Sequence, residues 1–113
     1  MPVHRSGGEP HFQSPCNAGP DEVFDTLIEK EAFKLERIVS RGHTTPVGQW
    51  YDQDRDEWVA LLSGSATLRF EQPDEVVTLA SGDWLVIPAH RRHRVEETAR
   101  DRETVWVAVH FGR

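Results

Sequence analysis

Two short stretches carry the side chains best suited to chemistry. From Gly82 to His93 the chain reads G-D-W-L-V-I-P-A-H-R-R-H: a turn, a short apolar strand, a proline stop, then His90 and His93 three residues apart. Twenty-five residues before Gly82 stands Glu57, followed after six residues by Gly64, with Tyr51 and Gln53 just ahead of it. A carboxylate opening one strand and an imidazole opening another are the parts of a small metal or ligand pocket inside a β-barrel. Glu57 shares its strand face with Val59 and Leu61, which turns it inward. A carboxylate so placed needs a partner or a cation.

The elements that must position these groups follow from periodicity. Phe33, Leu35, Arg37 and Val39 alternate with Lys34, Glu36, Ile38 and Ser40, which predicts a half-buried strand. Gly42 to Gly48 is a loop. Glu57 to Leu62 is a strand with apolar residues on both faces, Ser63-Gly64 a tight turn, and Ala66, Leu68 and Phe70 the inner set of the next strand. These two strands are predicted to pair as a β-hairpin. Val76 to Leu79 and Trp84 to Ile87 are further strands, and Pro88 ends the second because it cannot donate to a ladder. His93, Val95 and Glu97 fall on one face of the following strand, and Thr104 to Phe111 closes the chain.

Ahead of the strands, Pro20 can open a helix, and Asp21 and Glu22 suit its first turn. Val23, Phe24, Leu27 and Ile28 then recur at helical spacing, which predicts a short amphipathic helix from Asp21 to Lys30. Residues 1–19, rich in Gly and Pro, read as a flexible N-terminal arm with Phe12 as its anchor, and residues 20–113 as a single domain. Many short strands with Gly- and Pro-marked turns indicate an all-β sandwich or small barrel.

The two stretches together resemble the cupin superfamily. Its second motif, G-x5-P-x-G-x2-H-x3-N, is present as Gly82, Pro88, His90 at the Gly position, His93, and Glu97 where the Asn would stand. Its first motif, G-x5-H-x-H-x3,4-E-x6-G, keeps its end as Glu57 and Gly64. The histidine positions correspond to Tyr51 and Gln53 at the shorter spacing, or to Trp50 and Asp52 at the longer. The likeness spans roughly Arg37 to Phe111 and is strongest to small single-domain cupins with W-Y-D-Q before E-W-V.

This resemblance implies a double-stranded β-helix, a jelly-roll barrel with its pocket at the mouth. It also implies a divalent metal (Fe, Ni, Mn or Zn) held by Glu57 and His93 with Gln53 and His90, and Tyr51 as a hydrogen-bond donor to substrate. A site with two imidazoles and one carboxylate would suit non-haem Fe(II). Glutamine is a weaker, neutral ligand, and a phenol stays protonated. The expected function is small-molecule binding around that metal, with oxygenation or isomerisation as the reaction class if there is turnover. The alternative is a metal-free binding or sensory module, and a third reading is a homodimer with a vestigial pocket.

Bulk properties narrow the partners. With 113 residues one domain is expected, and a formal charge of −6 argues against nucleic acid or an anionic membrane. Arg91, Arg92 and Arg94 are interrupted by His93 and followed by Glu96 and Glu97, so they read as a strand face or pocket rim. The lone Cys16 excludes an internal disulfide and fits a reducing cytoplasm. No apolar run reaches membrane-spanning length. The expected partners are a small polar or anionic ligand and a second copy of the chain, which would cover the strands that are apolar on both faces. His43 and His110 read as an exposed loop histidine and a packed or surface histidine.

Overall fold

The computed structural model describes residues 22–112, in which eight strands form two facing sheets and no helix occurs. The strands are β1 (Val23–Glu29), β2 (Phe33–Ser40), β3 (Asp56–Ser63), β4 (Ser65–Phe70), β5 (Glu75–Ala80), β6 (Trp84–Ile87), β7 (His93–Thr98) and β8 (Thr104–Phe111). One sheet runs β1-β2-β8-β3-β6 and the other β5-β4-β7. The all-β expectation holds, and β2, β6 and β8 fall where alternation and Pro88 place them. The predicted arm, with Phe12 and Cys16, lies outside the described residues.

The predicted helix is a strand. β1 pairs antiparallel with β2, with a register shift between Thr26 and Ile28. That extra residue breaks the two-residue alternation, so Phe24, Leu27 and Ile28 acquire a spacing that mimics a helix turn. Val, Phe, Thr and Ile within the segment favour the extended chain, and β2 offers an edge to pair with.

The predicted hairpin of β3 and β4 is also corrected. β3 pairs with β8 and β6, whereas β4 pairs with β5 and β7. The tight turn at Gly64 carries the chain from one sheet to the other. Gly64 has a φ of +89°, and a Cβ there would lie 2.6 Å from the Thr104 Cα. The crossing therefore depends on a residue without a side chain.

A third correction concerns β7. The β4–β7 register shifts between Thr67 and Leu68, so Phe70 faces His93, Leu68 faces Val95, and Ala66 faces Thr98. Glu97 is exposed and Thr98 takes the buried position, donating from Oγ1 to the His43 carbonyl at 2.8 Å. Between the sheets lies one core that includes Val59, Leu61, Leu68, Phe70, Ile87 and Trp106. The Trp106 indole N–H donates to Ser40 Oγ (3.2 Å), which satisfies its one polar atom.

Candidate functional site

Antiparallel register brings the site together. Glu57 sits near the start of β3, flanked in the sheet by His110 of β8 and Ile87 of β6. His93 opens β7 opposite Phe70. Tyr51 forms an isolated bridge with His93, its N–H donating to the His93 carbonyl at 2.7 Å and its carbonyl accepting in return at 3.1 Å. The preceding loop is fixed to β7 by the Arg94 guanidinium, which donates to the carbonyls of Thr45, Pro46 and Gln49. Gln53 is positioned through its own carbonyl, which accepts from the His90 N–H at 2.7 Å.

Tyr51, Gln53, Glu57 and His93 all line one cavity of about 70 Å³ at the barrel mouth. Glu36 and His110 line it too. Most of the rest is apolar, including Ile38, Val59, Leu68 and Trp106. Strands far apart in sequence thus converge on one small, partly open space.

His90 does not join them. It lies at the motif's glycine position with φ +64°, and its Nδ1 bonds Asp52 Oδ1 at 2.9 Å on the exposed surface. The left-handed backbone turns the ring to the outside. The three neighbouring arginines meet acidic partners: Arg91 pairs with Glu75, Arg92 with Glu71 and Arg94 with Glu96.

The central pair is Glu57 and His93. The His93 Nδ1 lies 2.9 Å from the Arg91 carbonyl, which can only accept, so Nδ1 carries the proton. Nε2 then presents a lone pair toward Glu57 Oε1, 3.7 Å away. That oxygen is buried and has no hydrogen-bond partner among the described residues. At this distance the two groups do not hydrogen-bond each other. Both are acceptors when His93 is neutral and Glu57 ionised, and both look into the same space. Burial lowers the His93 pKa below the ordinary value. Burial also pushes the Glu57 carboxyl up to about 7, which the His110 charge opposes and the Glu36 charge reinforces. Burial raises the Tyr51 phenol, aided by the charges of Glu22, Glu57 and Glu36, so it stays a proton donor.

Beside this pair is one that periodicity could not reveal. His110 Nε2 meets Glu36 Oε1 at 2.8 Å, both side chains being largely buried. The hydrogen bond to His110 lowers the Glu36 pKa, and the same bond raises His110. The pair is at full strength between the two ordinary values, from 4.5 to 6.5. His110 loses its advantage as pH rises through its raised value, and Glu36 loses its own as pH falls through its lowered one. Replacing His110 with Gln is expected to cost about 2 kcal/mol, the penalty for weakening a largely buried charge pair. Urea unfolding across pH should show the deficit peaking in that window.

The donor set differs from the one that a metal at the first-motif positions calls for. Among the described residues no three His, Cys, Asp or Glu side chains are grouped to hold an ion. Tyr51 and Gln53 stand at the two histidine positions, His90 faces away, and His110 is engaged by Glu36. One imidazole, one carboxylate and one neutral amide fall short of the three strong protein ligands typical of a resident catalytic transition-metal ion. The residues do not fit a closed metal centre.

No protein-family model and no curated protein matches the chain. Solved structures do. A crystal structure from Ralstonia eutropha JMP134, named as a candidate mannose-6-phosphate isomerase, is 46% identical over 84% of this chain and 88% of its own, with a TM-score of 0.80. A cupin superfamily protein from Desulfitobacterium hafniense DCB-2 superposes with a TM-score of 0.69 at 16% identity, covering 83% of this chain and 80% of its own. An RmlC-like cupin with a double-stranded β-helix fold from Methanocaldococcus jannaschii gives 0.66 at 16% identity, covering 84% of each chain. The chain belongs to the cupin superfamily. In this cupin the second motif places His93 on the cavity wall, and the end of the first places Glu57 opposite it. No helix among the described residues of this cupin is long and apolar enough to cross a membrane.

Proposed function

We propose that this cupin binds the polar end of a small molecule between Glu57 and His93, without a resident metal ion. One observation carries the reading: two buried acceptors, 3.7 Å apart, face the same cavity with no hydrogen bond between them. A ligand N–H or O–H placed there reaches both, and Tyr51 supplies a donor for a ligand oxygen. Buried acceptors left without donors are costly, so a ligand that supplies them gains affinity and selectivity.

The chemistry this site can add to binding is proton transfer. A carboxyl that titrates near 7 exchanges a proton readily at neutral pH, which suits a general acid or base. An isomerase needs such a group, and the Ralstonia protein's name is compatible with that class. Recognition of a sugar phosphate is less well supported. Among the described residues the cavity lining contains Glu22, Glu36 and Glu57 but no Lys or Arg, and His110 is already bound to Glu36, so an anion meets no free countercharge. The anionic ligand expected from a metal-charged site loses its rationale with the metal.

A thermal-shift screen of small polyols, sugars and amines, run with and without EDTA, tests the reading. A compound at a hundredfold excess over its Kd should add about 3 kcal/mol and raise Tm by on the order of 10 °C. The shift should survive EDTA and disappear in His93→Ala. Elemental analysis of protein purified without chelator should find well under one metal ion per chain. Stoichiometric metal, with binding abolished by EDTA, would overturn the metal-free reading in favour of an ion at Glu57, His93 and Gln53.

A further inference from the structure

On the reading that the cavity is a ligand site, the charges lining it favour one class of ligand. We propose that the cavity selects a small organic cation, an alkylammonium group whose N–H donors are taken up by Glu57 and His93. Three carboxylates line the space, and their local partners differ. Glu36 is matched by His110 at 2.8 Å, and Glu22 accepts from Ser40 Oγ. Glu57 has no hydrogen bond at Oε1 among the described residues, although its side chain is only 9% exposed. Glu57 therefore points into the cavity with only partial compensation from His110, which is hydrogen-bonded to Glu36, and among the described residues no Lys or Arg lines the walls.

The remaining surroundings suit an ammonium head on a short apolar stem. The Tyr51 ring stacks on the His93 ring with centroids 5.6 Å apart, which places an aromatic face beside the polar pair. Phe24 and Trp106 also line the cavity, and cations are attracted to aromatic faces. Ile38, Val59, Leu68 and Val95 offer apolar contacts to a stem. A volume of about 70 Å³ has room for roughly five water-sized groups, the size of a short alkylamine. A whole sugar phosphate would extend outside it.

An isosteric trio separates charge from shape: propylamine, propan-1-ol and propionate, each titrated into the whole protein at pH 8 by calorimetry and by NMR shifts of His93 and Tyr51. Propylamine is fully cationic there. It should bind about tenfold or more tightly than the alcohol, the ratio expected of a charge-assisted hydrogen bond. Propionate should not compete. In Glu57→Gln, checked for folding by circular dichroism, the preference for amine over alcohol should shrink to within about threefold. Should that variant not fold, the wild-type shifts of His93 and Tyr51 still decide the matter.

Alcohol binding as tightly as the amine, or propionate binding better, would overturn the charge selection and leave the ligand site standing. No response of His93 or Tyr51 to propylamine would overturn the proposal, while the polyol screen would still report on the site itself. Mn²⁺ moving those resonances where propylamine does not would overturn it in favour of an inorganic cation.

Discussion

Glu57→Gln is expected to make the folded protein more stable at pH 8 while removing its preference for a cationic ligand. The carboxyl has an ordinary value of 4.5 and is pushed up to about 7 by burial in the barrel. The folded state therefore holds this proton more tightly than the unfolded chain does. Stability attributable to the group is fully present below 4.5 and is lost as pH rises through about 7. Ionised Glu57 then costs the fold on the order of 3 kcal/mol. Gln has nearly the same shape, carries no charge, and can turn its amide N–H toward His93 Nε2. Urea unfolding at pH 8 should show a gain of about 2–3 kcal/mol, and the gain should vanish near pH 4.5. His110 contributes with the same sign as pH rises, and because the Glu57 charge helps to raise it, the difference between wild type and variant reports Glu57 together with its effect on His110. Equal stability of the two proteins at both pH values would mean that the carboxylate is solvated. A residue that weakens its own fold in this way is better explained by function than by packing.

The second large effect lies far from the cavity. Gly64→Ala is expected to destabilise the protein by on the order of 4 kcal/mol, adding left-handed backbone strain to overpacking. The new Cβ would stand 2.3 Å from Thr104 Oγ1, 2.6 Å from the Thr104 Cα and 2.8 Å from the Glu103 carbonyl oxygen. A side-chain rotation could relieve only the first of these. The damage should spread, because the turn joins β3, which carries Glu57, to β4, which pairs with the strand of His93. Thermal unfolding should show Tm lowered by on the order of 15–25 °C, with ligand response lost in parallel. Gly82→Ala is the control: it has a similar φ of +94° but open space around its Cβ, so it reports the strain alone.

Much of this was legible in the residues themselves. Apolar alternation and Pro88 mark the strands, and Val59 and Leu61 reveal which way Glu57 points. The motif spacing brings Glu57 and His93 to one site. The failures share a physical cause, which is that a local pattern does not report its partner. The bulge in β1 disguises a strand as a helix, and the bulge in the β4–β7 pairing moves Thr98 inward and Glu97 out. Ser63-Gly64 has the same composition whether it closes a hairpin or crosses between sheets. Glu36 and His110 are 74 residues apart, and nothing in either strand's own pattern announces the other. His90 misleads for a different reason: its ring has the right chemistry, but its positive φ aims it at Asp52.

The most direct test is the titration of Glu57 itself, followed by the NMR signal of its side-chain carboxyl carbon and assigned through Glu57→Gln. A midpoint near 7, falling when propylamine is added, with the His93 ring responding at the same pH, is the predicted result. A midpoint near 4.5, indifferent to propylamine and without any echo at His93, would contradict a buried, unsatisfied carboxylate facing an imidazole across an open ligand site.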